Sequence, residues 1–233
     1  VTSEQAVAQA QAQIIERFGR SPSYVVSCAG VAPAGALLTS PVKMFTRAFD
    51  INAAANVVLA QAFLPAMISN NHGHFMTVAS SASYFSLPNL CAYSMSKTAA
   101  LAFLESLRAE LRAVYKACRV RTSVVTPTKV RTVLAEGLNE GDDDFLMPVL
   151  EPIQVARAMA DTLNSGLSRN ISLPLGSALL PYLRALPEWY RGALRAMGNT
   201  DALVTPESIS RGQQALRGHQ SNLDHMKKLG VHS

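Results

Sequence analysis

Three times within the first 127 residues a helical pattern passes through a short turn into a run of apolar or β-branched residues, and this alternation limits the possible folds more than any other feature. Thr2-Ser3-Glu4-Gln5 offers a capping hydroxyl on Thr2 with Gln5 three places on, and the Ala, Ile and Phe positions continue a helix through Phe18 that Gly19 ends. Tyr24-Val25-Val26-Ser27 then reads as a short buried strand running into Cys28-Ala29-Gly30, after which Pro33 and Gly35 mark a loop. Residues 45–68 form a long helical pattern with Pro65 near its end, and Gly73 separates it from a strand over 74–79. A loop through Pro88 leads into a helix over about 92–116, followed by the β-branched run 120–125 and Pro127.

Beyond Leu134 the pattern breaks into a loop that reaches Glu151, marked by Gly137, Gly141 and Asp142-Asp143-Asp144. Pro152 opens a helix through Leu163, and Ile171-Ser172-Leu173 is the last expected strand. Helices alternating with short apolar strands predict an open α/β sheet of the Rossmann type, parallel and with helices on both faces, because right-handed crossovers place them there. At 233 residues, 48% hydrophobic and 16% charged, the chain suits one domain with a single sizeable core. Within that domain, 177–233 is expected to be a substrate cover or tail. Residues 179–197, apolar and basic by turns around the lone Trp189, read as a pocket cover, a membrane-touching helix or a packed terminal helix.

Several function classes lose support from composition. The net charge of +5 is spread along the chain rather than gathered into runs of Lys or Arg, which argues against a nucleic-acid partner. Its basic excess near Arg121 and after Arg184 reads as solvated helix faces or as weak attraction to an anionic membrane. Cys28, Cys91 and Cys118 are odd in number and lack a CxxC pair, against a disulfide framework or a zinc site and in favour of a reducing, intracellular compartment. His72 and His74 read as a turn entering a strand, since no nearby cysteine or carboxylate completes a metal ligand set. Residues 1–10 do not read as a signal peptide. The longest stretch without Asp, Glu, Lys or Arg, 51–96, contains Asn52, Asn56, Gln61 and Pro65, so a helix buried between layers fits better than a bilayer span.

Tyr93 and Lys97 are four residues apart at the start of a strong helix, so their side chains share one face about a turn apart. A free phenol has a pKa near ~10, too high for a base at neutral pH, and a neighbouring ammonium favours the phenolate. Tyr93 would then exchange a proton with an alcohol or carbonyl. Tyr-x-x-x-Lys alone is common in helices, but Ser80 stands thirteen residues before Tyr93 and directly after an apolar strand. Its hydroxyl is expected at the carboxyl end of a parallel strand, the edge at which open α/β sheets bind ligands.

On these residues the chain resembles the short-chain dehydrogenase/reductases, over nearly its whole length. Val78-Ala79-Ser80 and Ala92-Tyr93-Ser94-Met95-Ser96-Lys97 match the family's catalytic serine and its Tyr-x-x-x-Lys segment at the expected separation. Cys28-Ala29-Gly30 stands where the family has Asn-Asn-Ala-Gly, and Phe49-Asp50-Ile51-Asn52 matches the segment bearing its helix-kinking asparagine. The run from Pro127 to Thr132 looks like its Pro-Gly-x-x-x-Thr turn beside the nicotinamide, with Thr128 in the place of glycine. Phe63-Leu64-Pro65-Ala66-Met67, the Asn-His-Gly-His turn and Val130-Arg131-Thr132 look most like the retinol dehydrogenase and 17-beta-hydroxysteroid dehydrogenase-like branch. The resemblance implies Tyr93 as general acid/base, Lys97 as the group that lowers its pKa and holds the nicotinamide ribose, and Ser80 as a donor to the carbonyl oxygen. Asn52 would complete a water-linked relay behind Lys97, or simply kink its helix. NAD or NADP would also meet Cys28, Ala29, Gly30, Pro127, Val130 and Thr132.

No two of the 13 glycines lie two apart, so the family's Thr-Gly-x-x-x-Gly-x-Gly turn for the pyrophosphate is not in this sequence. By the resemblance Val1 falls just after the family's third strand, the first βαβαβ half is expected to be missing, and the strand over 24–27 becomes an edge. Two functions are therefore expected. One is an NAD(P)-dependent oxidoreductase for a lipophilic alcohol or ketone of retinoid, steroid or lipid type, cytoplasmic or peripheral to endoplasmic reticulum or lipid droplets. The other is a truncated, inactive chain that pairs with a full-length relative. In either case the helices over 45–68 and 92–116 are the expected surfaces of a homo-oligomer.

Overall fold

β-Branched and aromatic residues concentrate in four short runs, and in a computed structural model these pair as one sheet. The structure describes residues 1–135, 148–197, 204, 205, 207, 209 and 210. The strands are β1 (Tyr24–Ser27), β2 (Gly73–Val78), β3 (Val120–Pro127) and β4 (Asn170–Leu173), all parallel and in the order β1-β2-β3-β4. Around them lie α1 (Glu4–Phe18), α2 (Val42–Phe49), α3 (Ala55–Ser69), α4 (Cys91–Ala113), α5 (Pro152–Ser165), α6 (Leu180–Leu183) and α7 (Glu188–Met197). Gly137, Gly141, the Asp142-Asp143-Asp144 run and Phe145-Leu146-Met147 of the expected loop lie outside the described residues, as does most of the tail after Met197.

Side chains alternate across the pleat, so neighbouring residues of one strand serve opposite layers. Phe75 and Val124 pack with Val7 of α1, Phe63, Leu64 and Met67 of α3, and Leu104 and Leu107 of α4. Met76 and Val125 face the other way, onto Leu150 and Val155 at the start of α5. The α/β fold with helices on both faces is the one the alternation predicts. Among the described residues β1 pairs only with β2, and Tyr24 and Val26, which share one face of the strand, are exposed.

Two local details differ from the sequence reading. Ser3 rather than Thr2 caps α1, because its extended backbone brings Oγ within 3.2 Å of the Ala6 N–H. The long helix over 45–68 runs from Val42 to Ser69 and is interrupted by a π turn at Asp50–Ala54. By length and composition this helix is apolar enough to cross a membrane, with a mean hydropathy of 1.6. Its second half, α3, is apolar nearly all round and packs on β1 and β2 between α1 and α4, but Val57, Gln61 and Pro65 along its outer side are exposed, so it is covered on one side and not buried between layers. Gly73 follows it closely, for a Cβ there would come within 2.6 Å of the Met67 side chain.

His74 enters β2 almost fully covered. Its Nε2 lies 2.9 Å from Ser123 Oγ on β3, while Nδ1 has no partner among the described residues. Burial, and then the nearby Arg121 charge, hold the imidazole pKa down to about 4, so it is neutral at pH 7.

Candidate active site

Because β1, β2 and β3 run parallel, their carboxyl ends open on one edge. Cys28, Ala29 and Gly30 follow β1, Ser80 follows β2 after one residue, and Thr128 follows β3. Ser80 is buried as the cap of a single 3₁₀ turn, Ser81–Ser83, and its Oγ accepts the Ala82 N–H at 3.2 Å. With that lone pair occupied, the hydroxyl proton is left for another partner.

Tyr93 and Lys97 occupy the first two turns of α4, where four-residue spacing stacks them. Lys97 is only 4% exposed, and its Nζ donates to Val78 O at the end of β2, at 2.7 Å. It also stands 6.0 Å from the centre of the Tyr93 ring. Burial draws the Lys97 pKa down to about 8, with Cys28 acting in the opposite direction, so the ammonium keeps most of its charge at pH 7. Tyr93 departs from the sequence expectation. Burial raises its pKa above the usual phenol value, a hydrogen bond with Ser80 offsets only part of this, and the hydroxyl stays protonated in this state.

Asn52 sits in the π turn and is buried. Its Oδ1 accepts the Val31 N–H at 2.8 Å, and its Nδ2 donates to Val31 O and to Ser96 Oγ, each at 2.8 Å. Ser96 in turn donates to Tyr93 O at 2.8 Å. A continuous hydrogen-bonded path thus joins the loop after β1 to the backbone of the tyrosine. Sequence reasoning missed Ser96, although it lies one residue before Lys97. It also missed Asn56, which donates to Asn52 O at 2.9 Å and to Ala53 O at 3.2 Å, and accepts from Thr77 of β2 at 3.0 Å. The four-residue spacing of Asn52 and Asn56 was the available signal.

Gly30 lies where these groups converge. A Cβ on it would stand 3.1 Å from Asn52 Oδ1 and 3.3 Å from Lys97 Nζ, so the missing side chain leaves a polar cradle. Lys97 has three N–H donors and gives one to Val78 O, which leaves two for hydroxyl groups on a ligand. This part of the chain fits the nicotinamide-ribose end of a dinucleotide; its glycine spacing offers no pyrophosphate turn.

The turn after β3 is tied elsewhere. Thr128 N–H donates to Leu173 O at 2.8 Å, Val130 bridges Leu150, and Arg131 pairs with Glu151 at 2.8 Å. Thr128 is not among the residues with a left-handed backbone, so its position does not call for glycine. Thr132 is exposed and donates to Val130 O at 3.3 Å. Among the described residues no hydrogen bond joins it to Ser80, Tyr93 or Lys97. Cys28 and Ala29 are exposed at the end of β1.

Residues 1–143 match the family described as short chain dehydrogenase. Estradiol 17-beta-dehydrogenase 11 of Homo sapiens is 37% identical over 175 residues, covering 74% of this chain and 56% of its own length. Epidermal retinol dehydrogenase 2 of Mus musculus is 35% identical over 141 residues, covering 60% of this chain and 45% of its own. The chain therefore spans about half the length of these relatives. A short-chain dehydrogenase from Streptomyces avermitilis has a similar fold, with a TM-score of 0.65 at 18% identity over 85% of this chain and 76% of that one.

Proposed function

The chain belongs to the short-chain dehydrogenase family, and from that premise we propose that it interconverts a lipophilic alcohol and its carbonyl with NAD or NADP. The observation that carries this reading is the group formed by Ser80, Tyr93 and the buried, charged Lys97 at one sheet edge. A bound nicotinamide would supply the hydride exchange with the substrate carbon. Tyr93 Oη gives its proton to the developing alkoxide in reduction and takes it back in oxidation. Ser80 donates to the same oxygen, where negative charge builds up. Lys97 favours the phenolate in the oxidation direction and holds ribose hydroxyls with its remaining donors. Asn52 and Ser96 fix the loop after β1 against the Tyr93 backbone, so that donor and base keep one geometry.

A steroid, retinoid or long-chain lipid as substrate is supported by the relatives, whose names specify estradiol and retinol. The same reading places the protein inside the cell, and makes α3 and α4, each with a partly exposed side, the surfaces through which two copies would pair.

Tyr93→Phe tests the chemistry because it removes only the proton-carrying oxygen. Turnover of estradiol or retinol should fall by roughly 10²–10⁴-fold while nucleotide affinity, followed by nicotinamide fluorescence, stays within about twofold. Near-normal turnover would overturn the acid/base role. For the substrate class, efficiency on polycyclic or long-chain alcohols should exceed that on short polar alcohols by at least about tenfold. Equal efficiency on both would reject a lipophilic site.

A further inference from the structure

We propose that the outer face of α7, with the segment leading into it, docks on an anionic lipid bilayer. At 3.6 residues per turn Trp189, Ala193 and Met197 form one stripe, and Trp189 and Met197 are 74% and 83% exposed. Arg191 and Arg195 lie on the opposite side, with side chains only 31% and 22% exposed. Both pair with Glu188, and the Arg195 guanidinium sits 5.3 Å from the centre of the Phe85 ring. A helix on a water-facing surface has the reverse arrangement, with charges outward and apolar residues toward the core. The residues before α7 repeat the pattern, for Leu175, Leu179 and Tyr182 are spaced four and three apart and are 85%, 67% and 73% exposed.

The chemistry of this face selects lipid as its occupant. Exposed Trp and Tyr are the side chains that settle at the headgroup level, and the apolar stripe can enter the acyl boundary. Residues 175–197 carry three arginines against one glutamate. Arg184 is exposed beside Tyr182, and the carboxylate of Glu188 is already engaged by Arg191 and Arg195. The rim is therefore positive and complements anionic headgroups. Phe85, which Arg195 covers, lies in the loop between Ser80 and Tyr93, so a docked α7 would hold the catalytic edge next to the bilayer. The inference stands on the α7 face and not on the proposed reaction; vesicle binding by a protein without turnover would leave it standing.

Trp189 is the only tryptophan and reports on this surface directly. The full 233-residue chain is mixed with phosphatidylcholine vesicles, with vesicles in which about one third of the lipid is phosphatidylserine, and with the same vesicles carrying brominated acyl chains. Emission from Trp189 should shift to the blue and be quenched by the brominated lipid, and the protein should float with the vesicles. Replacing Leu179, Tyr182 and Met197 together by serine, all at exposed positions, should weaken binding at least tenfold. Arg184→Glu should weaken binding to the phosphatidylserine vesicles roughly tenfold and leave binding to phosphatidylcholine nearly unchanged. Absence of flotation, or flotation without quenching of Trp189, overturns the proposal. So does a blue shift that appears without vesicles and follows dimer formation in sedimentation, since a second copy would then cover the face.

Discussion

The two ends of β2 treat a buried basic group in opposite ways. At the amino end His74 has its pKa held to about 4 and is neutral at pH 7; at the carboxyl end Lys97, bound to the Val78 carbonyl, is drawn down to about 8 and remains charged. Burial is the main cause in both. The outcomes differ because the groups start from different ordinary values and meet different neighbours. Arg121 repels a proton from His74, whose Nδ1 lacks a partner among the described residues, whereas Lys97 has a carbonyl acceptor and the opposing effect of Cys28. A base that gives up its charge fills space between strands. One that keeps it where ligands bind stores an unfavourable desolvation that a ligand can relieve.

The strongest way to break this contrast is Lys97→Met. Turnover should fall by roughly 10²–10⁴-fold and the remaining activity should need a higher pH, because the phenolate loses its cation. The same change should remove a pH dependence of stability. Between pH 8 and 10.5 the unfolded lysine holds a proton that the native one has lost, so the wild type gains stability with rising pH, by at most about 3 kcal/mol. Below pH 8 both states are charged and that penalty is fully present. Urea titrations across this range should show the gain in the wild type and not in the variant; equal profiles would mean that Lys97 is well solvated.

His74→Gln addresses the other end. As pH falls from 6.5 to 4 the unfolded imidazole takes up a proton that the native one refuses, and the wild type should lose up to about 3 kcal/mol of stability. The glutamine variant should lack this part of the acid sensitivity and keep its turnover within about twofold. An unchanged acid midpoint would assign the loss to carboxylates elsewhere.

A smaller effect is expected at the link behind the tyrosine. Ser96→Ala removes one of the acceptors of Asn52 Nδ2 while leaving the other, Val31 O, in place. Stability should drop by about 1 kcal/mol, read by denaturant midpoint, with turnover reduced only a few-fold. A loss of turnover as large as that of Lys97→Met would show that Ser96 acts in proton transfer and not in positioning.

The alternation of helix and strand was legible in the sequence because periodicity reports which residues must be buried, and the strand positions of Tyr24, Phe75 and Val124 follow from it. The stacking of Tyr93 over Lys97 was legible for the same reason, being a local consequence of helical spacing. The direction of the Tyr93 pKa was not, since it depends on how much of the ring other elements cover. The π turn was expected only as a kink, because its hydrogen bonds are completed by Asn56 and, through it, by Thr77 on another element. The inverted face of α7 was also hidden: the order of its residues is that of an ordinary amphipathic helix, and only its packing on Phe85 shows which side is turned inward.

The π turn at Asp50–Ala54 also holds one residue more than an α turn, because its hydrogen bonds close over five residues and not four. The extra residue is taken up inside the turn, so Ala48 on one side and Asn56, Phe63 and Met67 on the other all stay buried. Deleting one residue of the turn would return it to regular α-helical bonding with those faces still in phase. What would be lost is the local widening in which Asn52 meets Val31 and Ser96. A deletion inside α3, where no such turn absorbs it, would instead shift the following faces by about 100°. Length in this helix is thus adjustable at one place only, and that place belongs to the site.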